Sequence, residues 1–402
     1  MQRADSTGPG GLMLAAGALL IAMLGTTLPT PLYALYQQQL GFGPTWTTLI
    51  FSIYAAGVIA ALLLVGSWSD QLGRKPMLLA GLLMGAISAV IFLHTHSIAG
   101  LLWGRLFSGF SAGIMTGTAT VAIIELAPPG WSRHATLVAT AANMLGLGMG
   151  PPVAGLTSQF LPEPLRLAFY LHLALLMVAA VGVILIRETV ERPERLRLGV
   201  QKPSIAPSVR PWFMPAAIAG LAGFSVAGLF TSMVPSIMQQ VMGESSGLII
   251  GLTISLLFVS SIVGQALLQA LPARLHMTLG CLALIVGMVD LGLSIATGHL
   301  TLLVLAGICA GVGQGMVFRA GMAAVTAAAP AHHKAAVTSA LFVVFYFSMS
   351  LPVIAVGSTV PVFGLPHVGE FFASLVAVVA LLAMLSMKRI QARHHAGGVE
   401  QA

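Results

Sequence analysis

Charged side chains are so scarce in this chain that the few found in tight loops or apolar runs are the first place to look for chemistry. Of 402 residues, 7% are charged. One group lies in GSWSDQLGRKP, residues 66–76, where Asp70, Arg74 and Lys75 are bracketed by Gly66, Gly73 and Pro76. Two cations are enough to hold a loop on one side of a membrane, and that needs neither an acid nor a fixed spacing. Asp70 therefore has another task. A second candidate is Arg105, in LLWGRLFSGFSAG, where an arginine inside an apolar run is costly and marks a functional site. Asp290, in VGMVDLGLS, is the one acid deep in an apolar run. It is either a proton carrier or a neutral structural aspartate bonded to a neighbour. Arg319 reads as an anchor at the inner interface. The histidines (His94, His96, His172, His276, His299, His332 and His333) show no metal-ligand spacing with acids or cysteines. No glycine-rich phosphate loop with a lysine occurs, nor any paired nucleophile and base. No cofactor, metal or enzymatic reaction is expected.

These residues need a scaffold, and composition says which solvent it faces. Hydrophobic residues make up 57% of the chain, and the mean hydropathy is +0.96. A soluble domain carries roughly a quarter charged residues. Apolar runs fall at about 11–35, 46–66, 76–96, 98–124, 135–158, 167–186, 212–240, 247–270, 276–297, 300–326, 335–357 and 368–387, each near the roughly 20 residues that a bilayer-crossing helix needs. Helices are expected because lipid offers no partner to an open backbone group. The first run, preceded by MQRADSTGPGG with no small-residue cleavage site, reads as a retained span. With the N-terminus inside, fifteen Lys and Arg fall in inner loops and tails, and only Arg166 falls outside. That asymmetry sets both termini in the cytoplasm. The net charge of +7 is accordingly assigned to inner loops and anionic headgroups, not to nucleic acid. Cys281 and Cys309 lie in apolar segments and are not expected to pair.

The longest polar break, residues 187–211, divides the runs six and six and reads as a flexible basic linker. A shift of about 202 residues superimposes Gly109, Gly113, Pro128 and Gly155 on Gly311, Gly315, Pro330 and Gly357. The expectation is an all-α polytopic membrane protein of twelve transmembrane helices. It divides into an N-terminal half, 1–186, a linker, 187–211, and a C-terminal half, 212–402, two six-helix halves related by pseudo-symmetry.

The loop GSWSDQLGRKP resembles the signature G-x-x-x-D-x-x-G-R-K of the major facilitator superfamily, with Gly66, Asp70, Gly73, Arg74 and Lys75 all matching. A degraded echo, GQALLQALPARLH, lies between the eighth and ninth runs. The resemblance implies a cytoplasmic latch in which Arg74 is paired with Asp70 and with Glu125, and Asp70 faces the start of span 11. LLWGRLFSGFSAG resembles the family's R-x-x-x-G motif, linked with proton transfer, which makes Arg105 a coupling candidate beside Asp290. GLGMGPPVAG, residues 146–155, is similar to the antiporter signature G-x-x-x-G-P-x-x-G-G, with Ala154 in place of the first glycine of the final pair. Gly146, Gly150, Pro151 and Gly155 then form the packing face that marks drug:proton antiporters, and Pro151 cannot donate to Leu147 O.

In the first span, Thr27, Thr30 and Tyr33 offer hydroxyls around Pro29 and Pro31, but no acid. Asn143, Gln314, Phe230, Phe345 and Tyr346 are further candidates for substrate contact, and an apolar aromatic cavity with few polar groups suits an amphipathic solute. Sugar or carboxylate recognition is expected to need more fixed polar groups or a basic cluster. The resemblance thus implies a monomeric, proton-coupled exporter in a bacterial-type inner membrane, with a small molecule, protons and lipids as partners. A facilitator or symporter for a metabolite, and a non-transporting receptor or scaffold, remain as alternatives. The charge asymmetry is directly testable. A reporter active only in the cytoplasm should be active when inserted in 187–211 or fused after residue 402, and silent at Glu163. The reverse pattern would overturn the orientation.

Overall fold

The computed structural model describes residues 9–66, 68–191, 193, 196, 199, 200, 205, 209–330 and 334–399, with backbone only at 133, 335 and 390–399. Arg3, Arg192, Arg195, Arg197, Lys202, His332 and His333, with much of the 187–211 linker and the side chains of Arg133 and Arg393, lie outside the described residues. The chain runs α1 (Pro9–Thr27), a 3-10 turn (Thr30–Leu32), α2 (Tyr33–Leu40), α3 (Pro44–Val65), α4 (Ser69–Leu72), α5 (Arg74–His94), α6 (Ile98–Glu125), α7 (Ser132–Phe160) and α8 (Leu167–Leu185). It continues with α9 (Arg210–Ser232), α10 (Val234–Val241), α11 (Gly247–Leu267), α12 (Ala273–Thr297), α13 (Leu300–Ala328), α14 (Lys334–Phe363) and α15 (Leu365–Val399). Among the described residues, twelve helical stretches are long and apolar enough to cross a bilayer, and there is no strand.

Two compact units emerge: Met1–Lys202 with Ser245–Ser255, and Pro203–Glu244 with Leu256–Ala402. In the first, α6 packs against α1, α3 and α5, while α1 also packs against α7 and α8. In the second, α13 packs against α9 and α12, and α9 also against α14 and α15. The sequence repeat has a local explanation in each unit. A Cβ at Gly109 of α6 would lie 2.1 Å from Tyr54 O of α3. A Cβ at Gly311 of α13 would lie 2.3 Å from Leu257 O of α11, and one at Gly315 would lie 2.1 Å from Ser261 O. Only glycine lets these backbones touch.

The structure departs from simple apolar runs where prolines fall. The first run does not stay one helix: Pro29 and Pro31 carry no N–H, so the chain leaves α1 at Thr27 and resumes as α2 after a 3-10 turn. The seventh run is likewise not continuous to residue 240, because Pro235 cannot donate one turn back and the chain breaks at Met233 before α10. The loop after α3 holds a single turn of helix, α4, and α15 runs on to Val399, well past the apolar stretch.

In α7 the consequence of proline is met differently. The helix continues through Pro151 and Pro152, yet Leu147 O has no amide one turn on. The Thr27 hydroxyl at the end of α1 donates to it at 2.7 Å. Replacing Thr27 by valine keeps the shape and strands the carbonyl, which should cost about 1 kcal/mol. Pro151→Ala restores a main-chain donor. Thermal unfolding of the purified protein should therefore show a clear loss for Thr27→Val in the native background and a smaller one in the Pro151→Ala background. Equal losses would show that the hydroxyl does not act on this carbonyl.

Candidate functional site

The charge cluster begins with a turn. Gly73 has φ +105° and ψ 154°, a backbone that side-chain-bearing residues rarely adopt, and it separates α4 from α5. Arg74, first residue of α5, folds back into the protein with its side chain 8% exposed. Its Nη1 donates to Asp70 Oδ1 at 2.6 Å and to Ser69 Oγ at 2.7 Å. Its Nε and Nη2 grip Glu125, at the end of α6, through Oε2 at 3.1 Å and Oε1 at 2.9 Å. This two-point grip on a carboxylate is specific to arginine. Asp70 is 65% exposed and Glu125 32% exposed, so solvent screens the first pair more than the second.

Two residues of the cluster come from beyond α8, in the stretch read from sequence as a flexible linker. Glu188 accepts from Arg74 N at 2.8 Å through Oε1 and from Lys75 N at 3.0 Å through Oε2. Its carboxylate thus caps the open amides and positive end of α5. A Cβ at Gly73 would meet Glu188 Oε2 at 2.4 Å, so a side chain there would push the capping carboxylate aside as well as strain the torsion. Thr189 Oγ1 donates to Glu125 Oε2, and Lys75 Nζ to Ile184 O near the end of α8. A signal for Glu188 was present in the sequence. It is an acid in a chain with eleven, beside a basic loop, and the reasoning applied to Asp70 applies equally to it. Gly66 keeps ordinary helical torsions at the end of α3.

Arg105 is buried in the first unit, 2% exposed. Its Nη1 donates to Thr26 O, where the proline break begins. Its guanidinium carbon lies 4.6 Å from the Tyr54 ring centre and 5.6 Å from that of Phe51, a favourable placement for a cation. Among the described residues Arg105, unlike Arg74, has no carboxylate partner. Asp290 belongs to the second unit, half-buried in α12. Arg319 donates to Gln265 O at 3.0 Å. The two coupling candidates therefore lie in different units.

The row in α7 faces main chain throughout. A Cβ at Gly146 would approach Leu20 O to 2.4 Å, one at Gly150 would approach Thr27 Oγ1 to 2.3 Å, and one at Gly155 would approach Gly247 O to 2.1 Å. Pro151 O and the Cα of Pro152 lie 2.4 and 2.8 Å from the Cβ position of Gly251, within the same unit. Thr27 has its hydroxyl engaged, Thr30 is buried in the 3-10 turn, and Asn143 is half-buried. His172, not distinguished in the sequence, fills the space that Gly25 leaves, with Nε2 3.1 Å from Ile21 O.

In the second unit, Phe224 stacks on Phe345 at 4.5 Å between ring centres, with Phe318, Phe342 and Tyr346 around them. Phe345 sits over Gly220 and is fully buried, as is Phe230 of α9. The Ser261 hydroxyl donates to Gln314 Oε1 at 2.7 Å and accepts from Gln265 Nε2 at 3.4 Å. Five aromatic rings and a short amide–hydroxyl chain thus occupy one bundle.

Comparison with known proteins agrees with this architecture. The family model of the Major Facilitator Superfamily matches residues 15–353. An uncharacterised MFS-type transporter of Methanocaldococcus jannaschii is 24% identical over 91% of this chain and 95% of its own length. Multidrug resistance protein 1 of Bacillus subtilis is 26% identical over 52% of this chain and 54% of its own. The quinolone resistance protein NorA of Staphylococcus aureus is 24% identical over 42% and 43%. The chain thus spans about half the length of each of these two resistance proteins. Among solved structures, a POT family transporter in complex with 5-aminolevulinic acid superposes with a TM-score of 0.80 at 14% identity, covering 97% of this chain and 99% of that one. A bacterial homologue of the human lysosomal transporter Spinster, in an inward-facing unoccupied conformation, gives 0.72 at 15% identity, over 95% and 98%. Twelve span-length helices, the glycine-built repeat and a family match over most of the length lead to one conclusion: this chain belongs to the Major Facilitator Superfamily and is a multi-pass membrane transporter.

Proposed function

We propose that this transporter is a proton-coupled exporter of small amphipathic compounds, working by alternating access in a bacterial-type inner membrane with both termini in the cytoplasm. The observation that carries the export reading is the α7 row. Gly146, Gly150 and Gly155 meet main chain of other helices directly, and Pro151 lies between them with its missing bond made good by Thr27. Such a face resists separation on one side of the membrane, as an antiporter needs. The names of the Bacillus and Staphylococcus relatives support the same reading. In this mechanism the halves rock about a central substrate site while protonation biases the two states. The Arg74 cluster acts as latch, with Asp70 and Glu125 as its acids and Glu188 and Thr189 holding it to the linker. Arg105 and Asp290 are the charges available for proton coupling. The substrate site draws on Thr30, Tyr33, Asn143, Gln314 and Tyr346, with Phe230 and Phe345 as its aromatic backing.

Export is tested by accumulation of a panel of cationic, zwitterionic and anionic amphipathic dyes in cells with and without the protein, at external pH 6 and 8. At least one dye should be excluded in a protein-dependent way, more strongly at pH 6, with exclusion lost on adding a protonophore. Exclusion of no dye would sink the export reading, and exclusion indifferent to the protonophore would sink proton coupling. The latch makes its own prediction. Arg74→Lys loses the two-point grip on Glu125 and should lower export roughly tenfold at unchanged protein level. Glu188→Gln weakens the cap on α5 and should lower export severalfold. Full activity in both variants would remove the cluster from the mechanism.

A further inference from the structure

Five side-chain polar atoms are buried without a hydrogen-bond partner among the described residues, and three of them are Tyr33 Oη, Tyr36 Oη and Arg105 Nε. All three residues belong to the first unit and are 2% exposed. Tyr33 and Tyr36 stand three residues apart on α2, hence on one face of it. Phe92 links α2 to the helix of Arg105: its ring centre lies 6.4 Å from that of Tyr36, and its edge would lie 2.8 Å from a Cβ at Gly104. The walls are aromatic. Tyr54 and Phe51 lie beside the guanidinium, and Phe92, beside Tyr36, stacks on Phe169 at 4.8 Å between ring centres.

Buried polar groups are nearly always bonded, and a buried cation without an anion is more costly still. Here a guanidinium N–H and two phenol O–H groups, all able to donate, are buried in one unit, and the guanidinium has no carboxylate partner among the described residues. Their chemical complement is an anionic oxygen group. A carboxylate accepts several hydrogen bonds at once and pairs with arginine, while the aromatic walls suit the apolar body attached to it. A cationic head would be repelled, and a neutral amide has fewer acceptor sites. We propose that Arg105, Tyr33 and Tyr36 form a binding site for the carboxylate of an amphipathic solute. That this solute is the cargo rests on the export reading, whereas the site itself rests on the three donors. In the observed conformation the groups are closed from solvent, so the solute enters when the transport cycle opens this unit. In the sequence Arg105 reads as a coupling charge and Tyr33 as a substrate contact, Tyr36 does not stand out, and carboxylate recognition is expected to need more fixed polar groups or a basic cluster.

The test is direct binding to the purified full chain in phosphatidylethanolamine–phosphatidylglycerol nanodiscs, independent of any transport assay. Radiolabelled 4-phenylbutyrate is the probe, with competition by 4-phenylbutyramide, 4-phenylbutylamine and acetate. Saturable binding is expected, with the amide and the amine at least tenfold weaker competitors. Tyr33→Phe and Tyr36→Phe remove one hydroxyl each and keep the ring. Each should weaken binding roughly tenfold at an unfolding temperature no lower than that of the native chain. Arg105→Gln should abolish it. Because that variant risks misfolding, the two phenylalanine variants carry the decision. Equal competition by acid and amide, unchanged affinity in the Tyr33→Phe/Tyr36→Phe double variant, or no saturable binding would overturn the site. Acetate competing as well as phenylbutyrate would overturn the cargo assignment and leave a free-anion site. Binding that persists where no dye is exported keeps the site and removes the export reading; export without binding does the opposite.

Discussion

Every backbone amide and carbonyl inside a bilayer must find its partner within the protein, and this requirement organises the features described above. Regular helix satisfies it automatically, and the exceptions occur where the chain carries proline or turns sharply. At several of these a side chain from elsewhere makes the missing bond. The Thr27 hydroxyl reaches the carbonyl that Pro151 leaves open, Arg105 reaches Thr26 O at the break before Pro29, and Glu188 reaches the first amides of α5 after the Gly73 turn. In the second unit, Arg319 bonds Gln265 O near the end of α11. These repairs join segments up to 120 residues apart. They therefore fix tertiary structure as well as local structure, and they concentrate polar side chains where the backbone is least regular.

Irregular backbone is also where a transporter can change shape. A helix interrupted at a proline has a smaller barrier to bending than one with a complete ladder. In this chain the first span breaks between Thr27 and Tyr33, and the seventh breaks at Met233. Both breaks occur just before a helix of eight residues, α2 and α10. The two units thus share a device as well as a fold: a span that ends in a short, separately hinged helix. The glycine contacts of α6 on α3 and of α13 on α11 supply the counterpart, a stiff pair whose main chains touch.

Much of this was legible in the sequence because lipid simplifies the pattern. Twelve apolar runs correspond to twelve spans, with most ends within a few residues and the seventh cut short at Ser232, since helix is the one single-segment solution in hydrocarbon. The contacts among Asp70, Arg74 and Glu125 were legible through the motif that carries them. What sequence could not resolve was direction around each helix. In a chain apolar on all sides, hydrophobic periodicity does not say which face meets which neighbour. Thr27 read as a solute contact and bonds a carbonyl of α7. Phe345 read as a cavity wall and fills the notch of Gly220. Glu188 read as part of a flexible basic linker because its partners lie 114 positions away. Pairings of that range depend on the closed tertiary structure and leave no local trace.

The repeat also shows where the units part company. At the offset of 202 residues that superimposes Gly109 on Gly311, Arg105 falls on Gly307, which is buried in α13. The loop after α11 lacks the acid of its counterpart and is closed by His276 on Leu271 O. The first unit therefore holds the buried cation and the charge cluster, while the second holds stacked aromatics and the Gln265–Ser261–Gln314 chain. A duplicated scaffold keeps what packing requires, namely the glycines, and is free to redistribute what solvation makes costly, namely the charges. The buried guanidinium and the Arg74 cluster thus belong to one bundle, while the other keeps Asp290 half-buried in α12 and is otherwise built of aromatic and amide groups. That division of labour requires the same helices in both units but not the same chemistry.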